Sequence, residues 1–430
     1  MSEPGTECDV IDRNDNGRDG RDSGEHSGEL YLDAASTEPV SRDVIDAMLP
    51  FMTDAYANPA SVHRAGKTAA QALDAARRSF AANLGARPDD VIFTSGGTES
   101  DNLAVKGIAL ARMGRMRRDG VLDRGVVTAE SAASGRPRIV ISAVEHPAVA
   151  ESAAWLERFF GFDVIRVPVD DAARIDLDAL KHAVDAAPER TALVSVMLAN
   201  NEVGTIQPVE DVVRVAHAAG VPAHVDAVQA AGQIPIRMRE WGVDALSVSG
   251  HKFGTPKGLG ALLVRGSTPI EPLLSGGGQE RGLRSGTQNV AGAVGLAIAL
   301  DGSIAFMREH AAELIASRDR LTQAVLDAVP QARLTGDPRD RLPGHASFIF
   351  PGVTGEALLV DLDARGIECS SGSACAVGRH EVPPTLLAMG LDPSVAKSAL
   401  RLTFRRPLSD DDIDRTVAAI RRSCTALGLR

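Results

Sequence analysis

From residue 90 to residue 252, short apolar runs alternate with longer helix-like stretches, and this alternation narrows the possible folds more than any other feature. Strand-like runs occur at Asp90–Thr94, Arg138–Ser142, Phe162–Val167 and Ala192–Met197. Helical patterns fall at Glu99–Met113, from Pro147 onward, and at Val209–Ala219. A strand–helix rhythm of this kind predicts an α/β fold, a mostly parallel sheet with helices on both faces. The chain has 430 residues, 44% of them hydrophobic and only 3% aromatic, so its core is expected from Ala, Val, Leu and Ile. A chain of this length buries roughly three quarters of its unfolded surface, and more than one domain is expected.

Residues 1–28 are rich in Asp, Gly, Arg and Ser and are expected to be a disordered tail. Folded sequence begins near Leu30, with a large domain over 29–300 whose earliest residues pack with the small domain. Residues 114–137 read as a surface insertion. After Gly286 a long Ala-rich helical stretch runs to about Val329. Strands near His345–Phe350 and Leu400–Phe404 then predict a smaller α+β domain over 301–430.

Lys plus Arg number 46 against 57 Asp plus Glu, a net charge of −11. That balance argues against a primary role in binding nucleic acid, although it leaves room for a basic patch that meets a tRNA-modifying partner. No apolar run reaches about 18 residues, so no membrane span is expected, and the N-terminus lacks the apolar region of a secretory signal. Four scattered cysteines, Cys8, Cys369, Cys375 and Cys424, do not make a disulfide framework, and a reducing cytoplasm is the expected setting.

The chemistry-bearing residues gather at strand ends. Lys252 follows the apolar segment Ala245–Ser249, and an amine placed there can form a Schiff base with an aldehyde cofactor. Asp226 ends the run Pro222–Asp226, where a carboxylate can keep the pyridine nitrogen of pyridoxal phosphate protonated. The turn Thr94-Ser-Gly-Gly-Thr-Glu-Ser100 joins a strand to a helix. Gly97 there admits a close anion, Thr98 adds a hydroxyl, and the helix N-terminus attracts phosphate.

His146 reads either as a helix-initiating residue before Pro147 or as an imidazole over the cofactor ring. Asn201 reads as a turn former or as a contact to the ring hydroxyl, and Gln229 can bond the same oxygen. Taken singly, Thr98 reads as a cap, Asp226 as a cap or an ion-pair partner, and Lys252 as a solvated loop lysine. Their joint fall at strand C-terminal ends, where open α/β sheets bind ligands, favours one site.

These segments resemble the class I cysteine desulfurases of the NifS/IscS type. The likeness is carried in order by Tyr31-Leu-Asp33, Phe93–Ser100, Glu145-His146, Ala199–Gly204, His224–Gln229 and Ser249–Lys252. Gly276–Arg281, Arg284–Thr287 and Cys369–Cys375 complete the series. The resemblance implies fold type I of the pyridoxal-phosphate-dependent transferases, with a mostly parallel seven-stranded sheet. It implies Lys252 as the Schiff-base lysine, Asp226 as the pyridinium partner and His146 as the stacking, catalytic imidazole. Gln229 and Asn201 would contact the ring oxygen, with Asn201 also near substrate. Gly97, Thr98, Ser249 and His251 would hold the phosphate. Thr287 would be a phosphate ligand given to the other subunit of a homodimer, and Arg401 the grip on the substrate carboxylate, which bidentate bonding suits.

The implied reaction removes sulfur from L-cysteine to give L-alanine and a persulfide on Cys375. Sulfur-acceptor proteins of iron–sulfur assembly or tRNA thiolation would receive it. Cys375 sits among small residues in Ser370–Gly378, which suits a thiol that must enter the site and leave it. Cys369 and Cys424 read as small buried hydrophobes, and no metal site is expected. Selenocysteine cleavage, another reaction on the same fold, or a non-catalytic binding role stand as alternatives. The sequence departs from the family at Ala34, where Asn is frequent, and at Arg405, where Gly is usual.

Overall fold

A computed structural model of the chain describes residues 29–122, 135–372 and 382–429. The tail 1–28 with Cys8, much of the expected insertion, and Cys375 lie outside the described residues.

The strands are β1 (Leu30–Tyr31), β2 (Val91–Thr94), β3 (Arg138–Ser142), β4 (Asp163–Val167), β5 (Thr191–Met197), β6 (Ala223–Asp226), β7 (Ala245–Ser249), β8 (Gly260–Val264), β9 (Arg333–Leu334), β10 (His345–Ile349), β11 (Ile367–Glu368) and β12 (Ala399–Thr403). Seven of them form one sheet in the order β2-β8-β7-β6-β5-β3-β4. The pairs from β7 through β6, β5 and β3 to β4 are parallel, and β8 runs antiparallel to both β7 and β2. Every residue of β5, β6, β7 and β8 is buried. That explains their continuous apolar runs, since both faces of the sheet are covered by helices. Val194, Val196, Val225 and Leu246 face one apolar cluster, and Ile139, Ile141, Leu193 and Leu262 face another.

A second core surrounds the three-stranded antiparallel sheet β9-β10-β12 and holds Phe348, Phe350, Leu400 and Leu402. The chain's first described strand belongs to it: β1 pairs in parallel with β11, and Leu30 and Leu32 are buried in the same cluster. From there residues 33–36 run to the C-terminal edge of the large sheet.

One helix, Val290–Ala328, serves both cores. Leu296, Leu300 and Met307 pack under the large sheet, and Leu314, Leu321 and Val325 under the small one. It is long and apolar enough to cross a membrane by composition alone, with a mean hydropathy of 1.8 over its most apolar window. These apolar positions are instead occupied by contacts within the protein. The expected domain boundary at 300/301 falls inside this helix, so the backbone does not break there.

The helix after β2 corrects the expected end at Met113. It starts at Gly97, passes through a π-turn at Leu103–Gly107 and continues to Arg118. The charged residues Arg115, Arg117 and Arg118 hid this last turn, yet Met113 and Met116 are buried beneath it. The basic C-terminal turn also suits the helix dipole.

Candidate active site

A cavity of about 390 Å³ opens at the C-terminal edge of the sheet. Gly97, Thr98, His146, Asn201, Asp226 and Gln229 line it, and so do Ser249, His251, Lys252 and Arg401. The strands explain the convergence: β2 leads to the Gly97 turn, β3 to His146, β5 to Asn201, β6 ends in Asp226 and β7 delivers Ser249 and Lys252.

The Gly96–Gly97 turn requires two close approaches. A Cβ on Gly97 would stand 2.7 Å from Val228 Cγ2, and one on Gly260 of β8 would stand 2.5 Å from Gly96 Cα. Small residues thus let the start of the helix press against the strand ends. Helix first-turn amides have no intrahelical partner, so the turn offers an anion its donors, with the hydroxyl of Thr98 beside them. Glu99 fastens this turn, accepting from Ser95 N at 2.7 Å and from Arg284 Nε at 2.9 Å.

Lys252 Nζ donates to Ala35 O at 2.6 Å and Ser36 O at 3.0 Å. Gln229 Nε2 also donates to Ala35 O, at 2.9 Å. His146 caps its helix through Nδ1, which accepts from Ala148 N at 3.1 Å. An accepting Nδ1 places the neutral ring's proton on Nε2. Burial and the nearby Lys252 charge lower the His146 pKa to about 4, so the ring is neutral at pH 7. The two readings of His146 are therefore compatible: one edge caps a helix while the ring lines the cavity. His251 is likewise lowered to about 4, by burial and the charges of Lys252 and Lys257.

Beneath the cavity lies a layer of buried carboxyls. Burial raises Asp226 to about 6, opposed by the Val228 amide at 2.8 Å and by Lys252. Asp101, which like Asp226 borders the cavity floor, is pushed well above its ordinary value by burial and by Asp226. His224 joins the layer fully buried, bonded to Ser195 Oγ at 2.8 Å and Ser247 Oγ at 2.9 Å, and is lowered to about 3 by burial. Glu145 accepts from Met197 N at 2.9 Å through Oε1, while its buried Oε2 has no hydrogen-bond partner among the described residues.

Burial raises the pKa of Glu145 from 4.5 to about 8. A native carboxyl with a raised pKa holds a proton that the unfolded chain has released. Its stabilising effect is complete below about 4.5 and is lost as pH climbs through about 8. Glu145→Gln keeps the Oε1 acceptor without the titration. Between about pH 5 and 9 its melting temperature is expected to fall by a few degrees less than the parent's, the remaining fall coming from other raised carboxyls such as Glu38 and Glu202, both at about 7. Calorimetry on the holoenzyme across that range checks this.

Arg401 of β12 crosses from the small sheet. It donates to Asp33 Oδ1 at 2.8 Å, Ser36 Oγ at 3.0 Å and Asn201 O at 2.8 Å, and its buried Nε has no hydrogen-bond partner among the described residues. Thr287 is exposed and outside this cavity. Cys369 is half-buried and Cys424 buried. Among the described residues no cluster could hold a metal ion.

The residues present fit pyridoxal phosphate. A glycine turn that a Cβ would crowd and a helix start suit its phosphate, a cavity-lining amine its aldehyde, and a buried carboxylate its ring nitrogen. The model of the aminotransferase class-V family matches residues 30–118 and 126–416. The chain belongs to that family. An IscS-like cysteine desulfurase of Mycobacterium tuberculosis is 44% identical over 89% of this chain and 93% of its own. The cysteine desulfurase IscS of Methanosarcina thermophila is 40% identical over 91% of each chain. A solved NifS-like protein superposes with a TM-score of 0.80 at 35% identity, covering 93% of this chain and all of its own. Within the class-V family the chain therefore sits with the cysteine desulfurases, which depend on pyridoxal phosphate.

Sequence reasoning missed Ala35 and Ser36, which line the cavity and accept from Lys252. Their only signal was nearness to the Tyr31-Leu-Asp33 motif. It also missed Asp101, whose helical position gave no hint that it borders Asp226.

Proposed function

We propose that this class-V enzyme takes sulfur from L-cysteine and leaves it as a persulfide on Cys375, with L-alanine as the second product. The observation that carries the reading is one cavity bordered by Lys252, Asp226, His146 and Arg401. Pyridoxal phosphate, when bound, supplies an electron sink at the substrate α-carbon. Gly97, Thr98, Ser249 and His251 hold its phosphate, Asn201 and Gln229 orient its ring oxygen, and Asp226 keeps a proton on its ring nitrogen. Lys252 would anchor the cofactor, and its Nζ would take the α-proton.

Arg401 binds the substrate carboxylate and fixes which bond lies over the ring. The Cys375 thiolate attacks the substrate sulfur; a sulfur–sulfur bond forms as the carbon–sulfur bond breaks, and protonation of the carbon yields alanine. The persulfide then passes to a sulfur acceptor, of iron–sulfur assembly or of tRNA thiolation. The resemblance further supports a homodimer in which Thr287 serves the partner's phosphate, and a cytoplasmic setting.

Equimolar alanine and transferable sulfur from L-cysteine are the expected products, and alanine without sulfur transfer defeats the reading. Arg401→Lys keeps a charge beside Asp33 and loses the planar fork. It is expected to raise KM for cysteine about tenfold to a hundredfold, the worth of one charged hydrogen bond, with a smaller change in kcat.

A further inference from the structure

The turn Gly250–Lys252 is held through its carbonyls, one after another. Gly250 O accepts from Phe253 N at 2.9 Å and Thr255 N at 3.1 Å, and Phe253 O accepts from Ser303 Oγ at 3.2 Å. His251 O accepts from Glu38 N at 2.9 Å. Lys252 O accepts from Nη2 of Arg405, which follows the end of β12 at Thr403. Nη1 of the same guanidinium donates to Gly232 O at 3.3 Å, in the segment that carries Gln229. Glu38 Oε1 lies 3.9 Å from Arg405 Nε and pairs with it when ionised; burial raises the Glu38 carboxyl to about 7, and the Arg405 charge opposes that rise. The Arg405 side chain is only 18% exposed.

Two adjacent carbonyls, those of His251 and Lys252, are thus gripped by Glu38 and Arg405, which are themselves an ion pair. A planar guanidinium with donors on both nitrogens can span two carbonyls of separate segments, and neither glycine nor an ammonium can do so in the same geometry. A flexible lysine stem sets the position of Nζ only as well as its main chain is fixed, and misplacement by about 1 Å costs roughly a hundredfold in rate.

We propose that Arg405 is a positioning residue for Lys252: it clamps the lysine's own carbonyl, with Glu38 as counterion, and so ties the small sheet to the cofactor-bearing turn. This rests on the assignment of Lys252 as the lysine that bears pyridoxal phosphate.

The test uses holoenzyme, with kcat expressed per bound cofactor, KM for L-cysteine, and the pH midpoint of the bound cofactor's visible band. Arg405→Ala is expected to lower kcat about tenfold to a hundredfold, leave KM nearly unchanged and move the band's midpoint. Arg405→Lys, which keeps one charged donor, is expected to recover part of each change. Parental kcat and midpoint in either variant overturn the proposal, as does a loss of thermal stability with kcat per site intact. Should Arg405→Ala fail to fold, Arg405→Lys decides alone: reduced kcat supports the clamp and parental kcat overturns it. Lys252→Ala runs alongside, and persistence of covalent cofactor there defeats the Lys252 assignment itself, independently of Arg405.

Discussion

Lys252→Ala is expected to abolish turnover of L-cysteine, with kcat/KM down by at least about four orders of magnitude, and to lose the yellow visible band of lysine-bound pyridoxal phosphate. Two losses combine. General acid–base catalysis by one positioned side chain is worth about 10²–10⁴-fold, and the covalent anchor disappears with the same amine. The fold should persist. Lys252 is half-buried and gives hydrogen bonds to the carbonyls of Ala35 and Ser36. Ala35 O also accepts from Gln229, which keeps that carbonyl satisfied in the variant. Removing the cation also lifts its charge from Asp226 and His146, whose pKa values it lowers, so both are expected to titrate higher in the variant. Absorbance after reduction with borohydride, together with alanine release, checks the prediction. Cofactor still fixed covalently in Lys252→Ala means that another amine carries it.

The candidate site was legible because topology places its residues. In a parallel sheet every strand points its C-terminal end to one edge, so residues read singly as caps or turn formers met in one cavity. Asp226 and Lys252 could be placed by that rule with no knowledge of distances. Residues that act across the two cores could not. Arg405 stood out as an odd arginine where a glycine is usual, and only the chain's path shows it reaching the carbonyl of Lys252. Ala35 and Ser36 are similar: β1 joins the small core, and the next few residues arrive at the large sheet. The end of the helix at Arg118 was missed for a different reason. Its surface turn is basic, and a window weighted by charge resembles a loop although Met113 and Met116 bury its other face.

The buried carboxyl layer was also invisible in sequence. Asp101, Glu145 and Asp226 come from separate elements and are brought together, and the charge of Lys252 opposes the rise of Asp226. Burying like charges together is unfavourable, and burial raises all three, Asp226 only to about 6 and Glu145 to about 8. A positively charged ring nitrogen beside Asp226 would draw that carboxyl toward its ionised form, which is the state its proposed task requires.

Cys375→Ala is expected to keep the cofactor band and bind L-cysteine, yet to form no persulfide and release no sulfide above background. The described cysteines cannot stand in for it. Burial and the charge of Asp33 raise the Cys369 thiol to about 12, and burial raises Cys424 to about 11. Only the thiolate attacks sulfur, and at pH 7.5 those values leave thiolate fractions of roughly 10⁻⁴ to 10⁻⁵ for Cys369 and 10⁻³ to 10⁻⁴ for Cys424. Cys424 is also buried in the small core, away from the cavity. Cys369 is the nearer rival, because it lies close enough to feel Asp33 and Arg401. Mass spectrometry of enzyme quenched during turnover separates the two: one added sulfur on the peptide containing Cys375 supports the mechanism. The same sulfur on Cys369, or parental sulfide release from Cys375→Ala, removes the Cys375 persulfide from it. Retention of the band in that variant matters equally, since loss of both band and sulfide would mean that the substitution had disturbed the cofactor site and not the sulfur transfer.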